Sequence, residues 1–398
     1  MDHRKKNDTI LNEDARFILD TIESHKHQAM IVGGAVRNFL MDIEISDIDV
    51  ATTALPTDIV RIFRKRGVTV IPVGIEHGTV MLVYKGRSYE ITTLREDIKT
   101  FGRHAEVSFT KSFEIDSNRR DFTMNAIYMN KAGKLFDYHD SISDINARNV
   151  VFIGDPVQRI HEDYLRILRY FRFVAYYGNF KTKDEYISII HSLKENVAKL
   201  SLERILAELL KTLQLQDSYK IIPQMRPVLD VLFDLQHDSL DICNEIGIND
   251  MSAIEKFCMM IKFSHTPIQK IMSRYSFPRN IKRLLLLECE RYDIESIKLN
   301  LKSLKKDLRS YYIKYVLVKM YALEIASRSD IAAIRMELEN FCDSEYVDFP
   351  LKASDFANFN LTSKQLGEVM RSTKKFWTQH SCVSRTQCLK HACASLFN

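Results

Sequence analysis

The sequence predicts an α+β domain followed by a longer, all-helical region. Short apolar and β-branched runs that end at glycine or turn residues lie between residues 29 and 93, as expected for strands. Ten of the twelve glycines lie before residue 179, and the remaining stretch carries apolar residues at helical spacing. A chain of 398 residues is long enough for two or more domains, which we place at 1–150, 151–240 and 241–398.

The composition limits the class of partner and the redox state of the cysteines. The formal net charge of +5 permits a nucleic-acid partner without requiring one, because clustering of basic residues matters more than their total. All seven cysteines follow residue 242, and their odd number and irregular spacing predict reduced thiols rather than a disulfide framework. His380, Cys382, Cys388, His391 and Cys393 suggest a zinc site, but their spacing fits no closed zinc motif.

Two further patterns bear on location. No segment offers the run of about 18 apolar residues that spans a bilayer. The N-terminal segment 1–15 contains basic and acidic residues but no apolar core of a signal peptide. The sequence therefore predicts a soluble, cytoplasmic protein with no membrane contact, and it shows no evident need for an obligate protein partner.

A glycine turn connects the first predicted strand to a helix. The apolar run at 29–32 stops at Gly33 and Gly34, after which apolar residues recur at helical spacing. Glycine at such a turn allows the backbone to approach an anion closely, and the start of the helix presents unpaired N–H groups to a phosphate. Arg37 lies one turn further and would face the same anion.

Two aspartates lie at the start of the next strand. Asp47 and Asp49 are two residues apart, so their carboxylates lie on one face of an extended chain. Carboxylates on one face repel each other unless a cation lies between them, and hard divalent ions prefer oxygen ligands. The alternative is a pair of ordinary solvated loop acids.

The next elements complete the predicted α+β domain. The segment 54–67 predicts a helix with Pro56 near its start. The segments 68–73, 79–84 and 88–93 predict strands. Glu90 in the last of these is a third acid that either joins Asp47 and Asp49 or is simply solvated.

The segment from Arg95 to Asp116 mixes charged residues with few apolar ones and predicts a flexible connection. It leads into NRRDFTMNAIY (118–128), where Arg119 and Arg120 supply cations and apolar residues anchor the segment. Taken alone, this pair of arginines could be a surface charge run.

The segment 150–178 predicts one long helix, because apolar residues recur along one side at steps of three or four. Asp163, Arg166, Arg169 and Arg172 recur every three residues, which places the arginines within about 120° of the opposite side. One interpretation is ordinary helical ion pairs between Arg166 and Glu162 or Asp163.

The other interpretation is recognition of a base. Cytosine and adenine each present an amino donor beside a ring-nitrogen acceptor, whereas uracil and guanine present a carbonyl beside a ring N–H. Aspartate only accepts hydrogen bonds and arginine only donates them. Asp163 with Arg166 would therefore match C and A, and would leave U and G with unpaired polar groups at a cost of about 1–3 kcal/mol each.

The rest of the chain predicts helices. Ser201 is a candidate N-cap for the amphipathic stretch 202–213. Helix breaks are predicted at four prolines, Pro223, Pro227, Pro267 and Pro278. The segment 298–319 combines lysines with tyrosines. It either tracks a phosphate backbone or forms a solvated face over a tyrosine-lined core.

Several of these strings resemble one family. GGAVRN (33–38) followed by SDIDVAT (46–52) resembles the head of the nucleotidyltransferase superfamily, the polymerase-beta-like fold, in the branch of bacterial-type (class II) tRNA nucleotidyltransferases, or CCA-adding enzymes, and poly(A) polymerases. Further similar strings are YEITTLR (89–95), NRRDFTMNAIY, EDYLRILRYFRF (162–173), SLERI (201–205) and the C-terminal stretch 348–370. The chain departs from the family pattern at Asn38, where Asp is usual, and at Tyr164, where many members have Pro.

The resemblance implies a nucleotidyltransferase head followed by an all-α neck, body and tail. It also implies roles for nine residues: Asp47 and Asp49 as catalytic ligands of Mg²⁺, Gly34 and Arg37 on the triphosphate, Arg120, Arg169 and Arg172 on the nucleotide, and Asp163 and Arg166 on the base. In the family, a loop corresponding to 95–116 adjusts the site between successive nucleotides.

The implied function is addition of C, C and A to the 3′ end of tRNA from CTP and ATP without a nucleic-acid template, releasing pyrophosphate. Within the class, alternatives are an enzyme that adds only CC or only A, and a poly(A) polymerase. From another class, the chain could be a catalytically silent RNA-binding protein that keeps the fold. Retention of both Asp47 and Asp49 argues against the silent protein.

Overall fold

The computed structural model describes residues 10–101, 104–235, 239–344, 349–359, 361–380 and 384–396. The chain divides into two compact units, Met1–Leu232 and Phe233–Asn398. Every strand of the described residues ends before residue 138, and helices dominate the remainder. The predicted order, an α+β region followed by a helical region, is confirmed. The domain limits at 150 and 240 stay a prediction.

Nine strands form two sheets in the described part of the first unit. They are β1 (Ala29–Val32), β2 (Ile48–Thr52), β3 (Thr69–Gly74), β4 (Thr79–Tyr84), β5 (Arg87–Thr93), β6 (Arg95–Phe101), β7 (His104–Phe109), β8 (Ile127–Met129) and β9 (Leu135–Asp137). The main sheet has the order β3-β4-β5-β2-β1-β8-β9. Only β2 and β5 are parallel among its described pairs. The sequence predicted β1 to β5 and missed β8 and β9, which are three residues long.

Three helices follow from local signals in the first 65 residues. Helix α1 (Glu13–Glu23) begins where the Asn12 side chain accepts a 2.9 Å hydrogen bond from the Ala15 N–H. Helix α2 (Gly34–Leu40) follows the glycine turn. Helix α3 (Pro56–Arg64) starts at a proline, whose missing N–H is not needed in the first turn. The helices predicted after the glycine turn and at 54–67 are confirmed.

The sequence predicted a flexible connection at 95–116 and missed two paired strands there, β6 and β7; the flexibility of the segment stays a prediction. Strands β6 and β7 pair in antiparallel fashion from Arg95 opposite Phe109, and helix α4 (Phe113–Asn118) follows. The Arg95 guanidinium donates to the His77 carbonyl. Backbone pairing and this long-range contact stabilise charged residues in strands, which residue composition does not reveal.

The segment 150–178 forms two helices, so the prediction of one long helix is wrong. After helix α5 (Ser141–Asn146) come α6 (Pro156–Glu162) and α7 (Leu165–Tyr177). Asp163 adopts extended backbone angles, φ −154° and ψ 106°, between α6 and α7. Its Oδ1 accepts a hydrogen bond from the Leu165 N–H. The carboxylate thus serves the start of α7, which the apolar periodicity could not indicate.

Helices α8 (Asp184–Leu193), α9 (Leu202–Leu213) and α10 (Ile222–Phe233) follow α7 along the chain. Helix α9 confirms the predicted amphipathic stretch and buries Leu202, Ile205, Leu206 and Leu209. Pro227 lies inside α10 rather than at a break, so this part of the prediction is wrong. Pro223 falls in the first turn, where no backbone donor is required.

The described part of the second unit is built from helices. They are α11 (Ser239–Glu245), α12 (Ala253–Lys262), α13 (Ile268–Arg274), α14 (Arg279–Leu285), α15 (Ile294–Ser303), α16 (Lys306–Ala322), α17 (Arg328–Ser344), α18 (Ser363–Gln379) and α19 (Arg385–Leu396). Pro267 and Pro278 immediately precede α13 and α14, as predicted for helix breaks.

Helix α16 decides between the two interpretations of the lysine-rich segment. Tyr311, Tyr312 and Tyr315 are buried. Lys314 is buried as well, and its ammonium donates to the Asp250 carbonyl at 2.7 Å. Lys298 forms an ion pair with Glu337 at 2.7 Å. The structure favours a tyrosine-lined core over a phosphate-binding stripe.

The described residues contain neither a helix that could span a membrane nor a group of three metal-ligating side chains. No helix there is both long and apolar enough to cross a membrane. In the same ranges, no three His, Cys, Asp or Glu side chains gather into a group that could hold a metal ion. Cys382 of the suggested zinc cluster lies outside the described residues.

Candidate active site

A cavity of about 370 Å³ in the first unit brings together most of the predicted site residues. The residues that line it are Gly33, Gly34, Asp49, Arg120, Asp121, Asn125, Asp163, Arg166 and Arg169. Six of the nine predicted residues are in this set, because the glycine turn, β2, the segment after α4 and the α6–α7 break converge there. Asp47, Arg37 and Arg172 lie around the cavity without lining it.

The glycine turn forms one wall of the cavity. Gly33 has φ +74° and ψ −128°, a conformation that strains residues with a Cβ. A Cβ at this position would also lie 3.5 Å from Nη1 of Arg120 and 3.7 Å from the Asn125 carbonyl oxygen. Glycine therefore brings the backbone within reach of the arginine that faces the cavity.

Asp49, near the start of β2, has two other acids close to it in the chain or the sheet, Asp47 and Glu90. Asp49 is half-buried and lies opposite Glu90 in the parallel β2–β5 register, so both side chains share a face of the sheet. Burial, Glu90 and Asp47 raise the pKa of Asp49 to about 6, although Arg120 acts in the opposite direction. Asp47 is exposed, lines a neighbouring cavity of about 520 Å³ and accepts a 3.0 Å hydrogen bond from the Ser46 hydroxyl.

The Asp49 carboxylate offers the kind of oxygen ligand that a hard cation prefers. The raised pKa of Asp49 shows that its negative charge is poorly compensated by the surrounding protein. Oxygen donors with uncompensated charge are the ligands that divalent ions such as Mg²⁺ or Ca²⁺ prefer. Asp47 and Asp49 carry donors of this kind, and their role as metal ligands stays a prediction.

Arg169 is held between two acids. Its Nε donates to Oδ2 of Asp121 at 2.8 Å, and its Nη1 lies 3.4 Å from Oε1 of Glu208. Asn125 donates to the other Asp121 oxygen at 2.9 Å. Burial alone would raise the pKa of Asp121, but Arg169 and these hydrogen bonds hold it well below its usual range. Arg169 is therefore fixed at the cavity edge.

The predicted base-reading pair, Asp163 and Arg166, is held by residues of other elements. Asp163 Oδ2 accepts from Arg204 at 2.7 Å. Arg166 donates to Glu162 at 2.6 Å, and Glu162 also accepts from Arg159 at 2.5 Å. Of the two ion pairs considered from the sequence, the structure forms the one with Glu162. Asp163 instead pairs with an arginine on α9.

Arg37 and Arg172 lie behind the cavity wall. Arg37 is only 7% exposed, and its guanidinium donates to Asn125 at 2.5 Å and to the Tyr177 hydroxyl at 2.7 Å. Burial lowers its pKa. Asn38, where the family usually has Asp, still accepts from Arg37 at 2.9 Å. Arg172 donates to Glu208 at 2.6 Å. Direct contact of either arginine with a nucleotide stays a prediction.

Four residues of the site were not singled out from the sequence: Asp121, Asn125, Arg204 and Glu208. The first two belong to NRRDFTMNAIY, so that string contained the signal. Arg204 belongs to SLERI, which was noted only for its resemblance. Glu208 is one polar residue of an amphipathic helix, and nothing local distinguishes it.

Comparison with known proteins shows what the chain is similar to. The family model of the poly(A) polymerase head domain matches residues 29–151. Human mitochondrial CCA tRNA nucleotidyltransferase 1 is 35% identical over 286 residues, which are 69% of this chain and 62% of that protein. Residues 29–151 thus match a poly(A) polymerase head domain, and the chain is similar to CCA tRNA nucleotidyltransferases over more than half of its length.

Bacterial CCA-adding enzymes are also similar. The CCA-adding enzyme of Bacillus cytotoxicus is 40% identical over 201 residues, which are 50% of this chain and 49% of that enzyme. The matched region therefore spans less than two thirds of the length of each of these curated relatives.

Solved structures of CCA-adding enzymes share the fold of this chain. The Bacillus stearothermophilus enzyme in complex with CTP has a TM-score of 0.69 at 24% identity, covering 96% of this chain and 94% of that one. The Thermotoga maritima enzyme with bound tRNA has a TM-score of 0.64 at 17% identity, covering 100% and 99%. The predicted nucleotidyltransferase head followed by helices is confirmed.

Proposed function

We propose that the chain is a template-independent CCA-adding tRNA nucleotidyltransferase, which joins C, C and A to the 3′ end of tRNA and releases pyrophosphate. The observation that carries the proposal is that one cavity holds Asp49 together with Asp163 and Arg166. A reacting phosphate and a base can thus be held at once. The relatives named as CCA-adding enzymes support this proposal.

The choice of CTP and ATP would follow from the hydrogen-bonding capacity of Asp163 and Arg166. Aspartate accepts and arginine donates, which matches the pairing edges of cytosine and adenine. Uracil and guanine would leave polar groups unpaired at about 1–3 kcal/mol each. Arg204 and Glu162 hold the two side chains in place, so that the protein can select a base without a nucleic-acid strand.

The chemistry is in-line transfer of a nucleotidyl group. Asp47 and Asp49 would hold Mg²⁺, which when bound activates the attacking hydroxyl and stabilises the leaving pyrophosphate. Arg120 and Arg169 supply positive charge beside the glycine turn, where the triphosphate would lie. Their fixed hydrogen bonds mean that little reorganisation is needed as charge develops on the phosphate.

The proposed partner is the 3′ end of tRNA, and the helical second unit would bind the RNA by shape and phosphate contacts. A tRNA complex of a relative with the same fold supports this assignment. No obligate protein partner is proposed. We also propose a cytoplasmic location, in keeping with the bacterial relatives, although the human relative is mitochondrial. Fractionation of the source cells measures this.

The test uses three tRNA transcripts that end before the first C, before the second C, or before the A. Each is incubated with Mg²⁺ and CTP alone, ATP alone, UTP or GTP alone, or CTP with ATP, and the products are resolved on a sequencing gel. We expect two additions from CTP, one from ATP after CC, and three from the mixture. Extension with CTP but never with ATP would indicate a CC-adding enzyme, and extension with ATP only, by one residue, an A-adding enzyme. A ladder of A residues would indicate a poly(A) polymerase.

The same experiment tests the silent RNA-binding alternative. A chain that shifts the tRNA in a native gel but extends none of the transcripts would be a binding protein that keeps the fold. No feature of the described structure favours this outcome, since Asp49, the glycine turn and the cavity arginines are all present.

A further inference from the structure

A carboxylate outside the cavity controls how one of its arginines is held. Asp116 on α4 is 0% exposed and does not line the cavity. Its two oxygens accept four hydrogen bonds. Oδ1 accepts from the Arg95 N–H at 3.2 Å and from Arg119 Nε at 2.8 Å. Oδ2 accepts from Arg120 Nη2 at 3.1 Å and from the Tyr128 hydroxyl at 2.8 Å.

These contacts fix the orientation of the Arg120 guanidinium. Asp116 holds Nη2, while Nε donates to the Tyr128 hydroxyl at 3.2 Å. The third nitrogen, Nη1, is the one that lies beside the Gly33 turn in the cavity. A planar guanidinium gripped at two nitrogens has little freedom to turn about its axis. These two contacts therefore orient the remaining nitrogen, Nη1, towards the cavity, where an anion would bind.

We propose that Asp116 is a positioning residue for nucleotide binding, which acts by aiming Arg120 into the cavity. The inference rests on the proposed function, in that the ligand of Arg120 is a nucleoside triphosphate. Asp116 touches no substrate itself. Through the Arg95 N–H, the same carboxylate also fastens the first residue of β6, so the base of the hairpin and the cavity arginine share one anchor.

The position requires a carboxylate rather than any buried acceptor. All four neighbours are donors, and Asp116 meets them with two acceptor oxygens and a negative charge. An asparagine replaces one oxygen with an NH₂ group, which would face two donors whichever way the amide is turned. Asp116→Asn thus removes one half of the grip while keeping the size and shape of the side chain.

The test compares Asp116→Asn with Glu114→Gln, an exposed acid on the same helix. We expect the KM for CTP and for ATP to rise about tenfold in Asp116→Asn, as expected for loss of a hydrogen bond to a charged group. The KM for tRNA should stay within twofold of wild type, and Glu114→Gln should match wild type throughout. An unchanged KM for both nucleotides in a folded Asp116→Asn protein would overturn the proposal.

A double-mutant cycle separates positioning from general support of the fold. In an Arg120→Ala background, Asp116→Asn should cause no further rise in nucleotide KM, because the group it aims is gone. A further rise of the same size in that background would show that Asp116 acts elsewhere, and would also overturn the proposal.

If Asp116→Asn does not fold, as judged by circular dichroism and thermal melting, Tyr128→Phe takes its place. It removes one hydrogen bond to Asp116 and one acceptor of Arg120 without changing a charge. We expect a rise of about fivefold in nucleotide KM, and a wild-type KM would refute the inference. Wild-type protein that extends no transcript would contradict the proposed function instead, so the two failures are distinguishable.

Discussion

Helices α7 and α16 both carry several basic residues, but the two sets lie in different surroundings. On α7, Arg166, Arg169 and Arg172 pair with carboxylates, and the first two line a cavity. On α16, Lys314 and Arg309 are buried and donate to the backbone carbonyls of Asp250 and Leu304, and Lys314 also pairs with the Asp250 carboxylate at 3.2 Å. Several basic residues on one helix therefore do not predict a ligand site by themselves.

The difference is that α7 arginines line a cavity, whereas the α16 residues are enclosed by packing. A carboxylate that holds one side of a guanidinium leaves its other N–H groups directed at the cavity, where an anion can accept from them. A lysine directed at backbone carbonyls satisfies buried acceptors and ends as part of the packing. We therefore expect α7 residues to control nucleotide binding and α16 residues to control stability.

The largest expected effect tests whether the cavity near α7 is catalytic at all. Asp49→Ala removes a proposed metal ligand, and nucleotide addition should fall by more than about a hundredfold, since loss of a residue that merely supports a ligand already costs 10–100-fold. The rate of CTP addition to a tRNA transcript measures this.

The matched control for Asp49→Ala is Asp58→Ala, an acid at the surface of α3 whose partner is Arg61. It should keep wild-type activity. Activity retained by Asp49→Ala would contradict the metal assignment. The cavity beside α7 would then not be shown to be catalytic.

A direct comparison of the two helices comes next in size. Arg166→Ala should raise the KM for CTP and ATP by about ten- to a hundredfold, because a charged donor to the base is lost. Glu162 keeps Arg159 as a partner in this variant. Lys314→Met should leave these KM values unchanged and lower the free energy of unfolding by about 1–3 kcal/mol, since the Asp250 carbonyl loses its donor.

Steady-state kinetics and urea unfolding of both variants measure these effects. The opposite pattern, with the lysine variant impaired in nucleotide binding and the arginine variant only less stable, would reverse the distinction between α7 and α16.

A smaller effect is expected on fidelity. Asp163→Ala should reduce discrimination against UTP and GTP by about tenfold, because the acceptor that penalises their carbonyl groups is removed. The affinity for tRNA should change less than this discrimination. Competition between CTP and UTP on one transcript measures the ratio. Equal loss of all four nucleotides with unchanged discrimination would refute the base-reading role.

The smallest expected effect is on the pH dependence of stability, through Lys262 in the second unit. Burial lowers the pKa of Lys262, whose ammonium donates to the Leu285 carbonyl at 3.1 Å. The unfolded chain, with the ordinary value of 10.5, then binds more protons than the folded one, so stability rises as the pH increases towards 10.5. Melting temperatures of wild type and Lys262→Met between pH 7 and pH 10 measure this. The melting temperature of wild type should rise relative to that of the variant as the pH increases. Two curves that stay parallel over this range would contradict the prediction.

Much of the local structure could be predicted from the sequence. The glycine turn, β1 to β5, α1, α3 and α9 follow from residues within a few positions of one another. The hairpin β6–β7 and the break at Asp163 could not be predicted in this way. Each depends on a contact, such as that of Arg95 with the His77 carbonyl, that competes with the local pattern and prevails over it.

The sequence by itself determined which chemical groups are available: two acids on one face, arginines at steps of three, and a turn that only glycine suits. Only the tertiary structure decided which of them share a cavity and what holds them there. Asp163 meets Arg204 41 residues away, and Arg37 meets Tyr177 140 residues away. Such partners are set by the packing of whole elements, and the order of neighbouring residues carries no record of it.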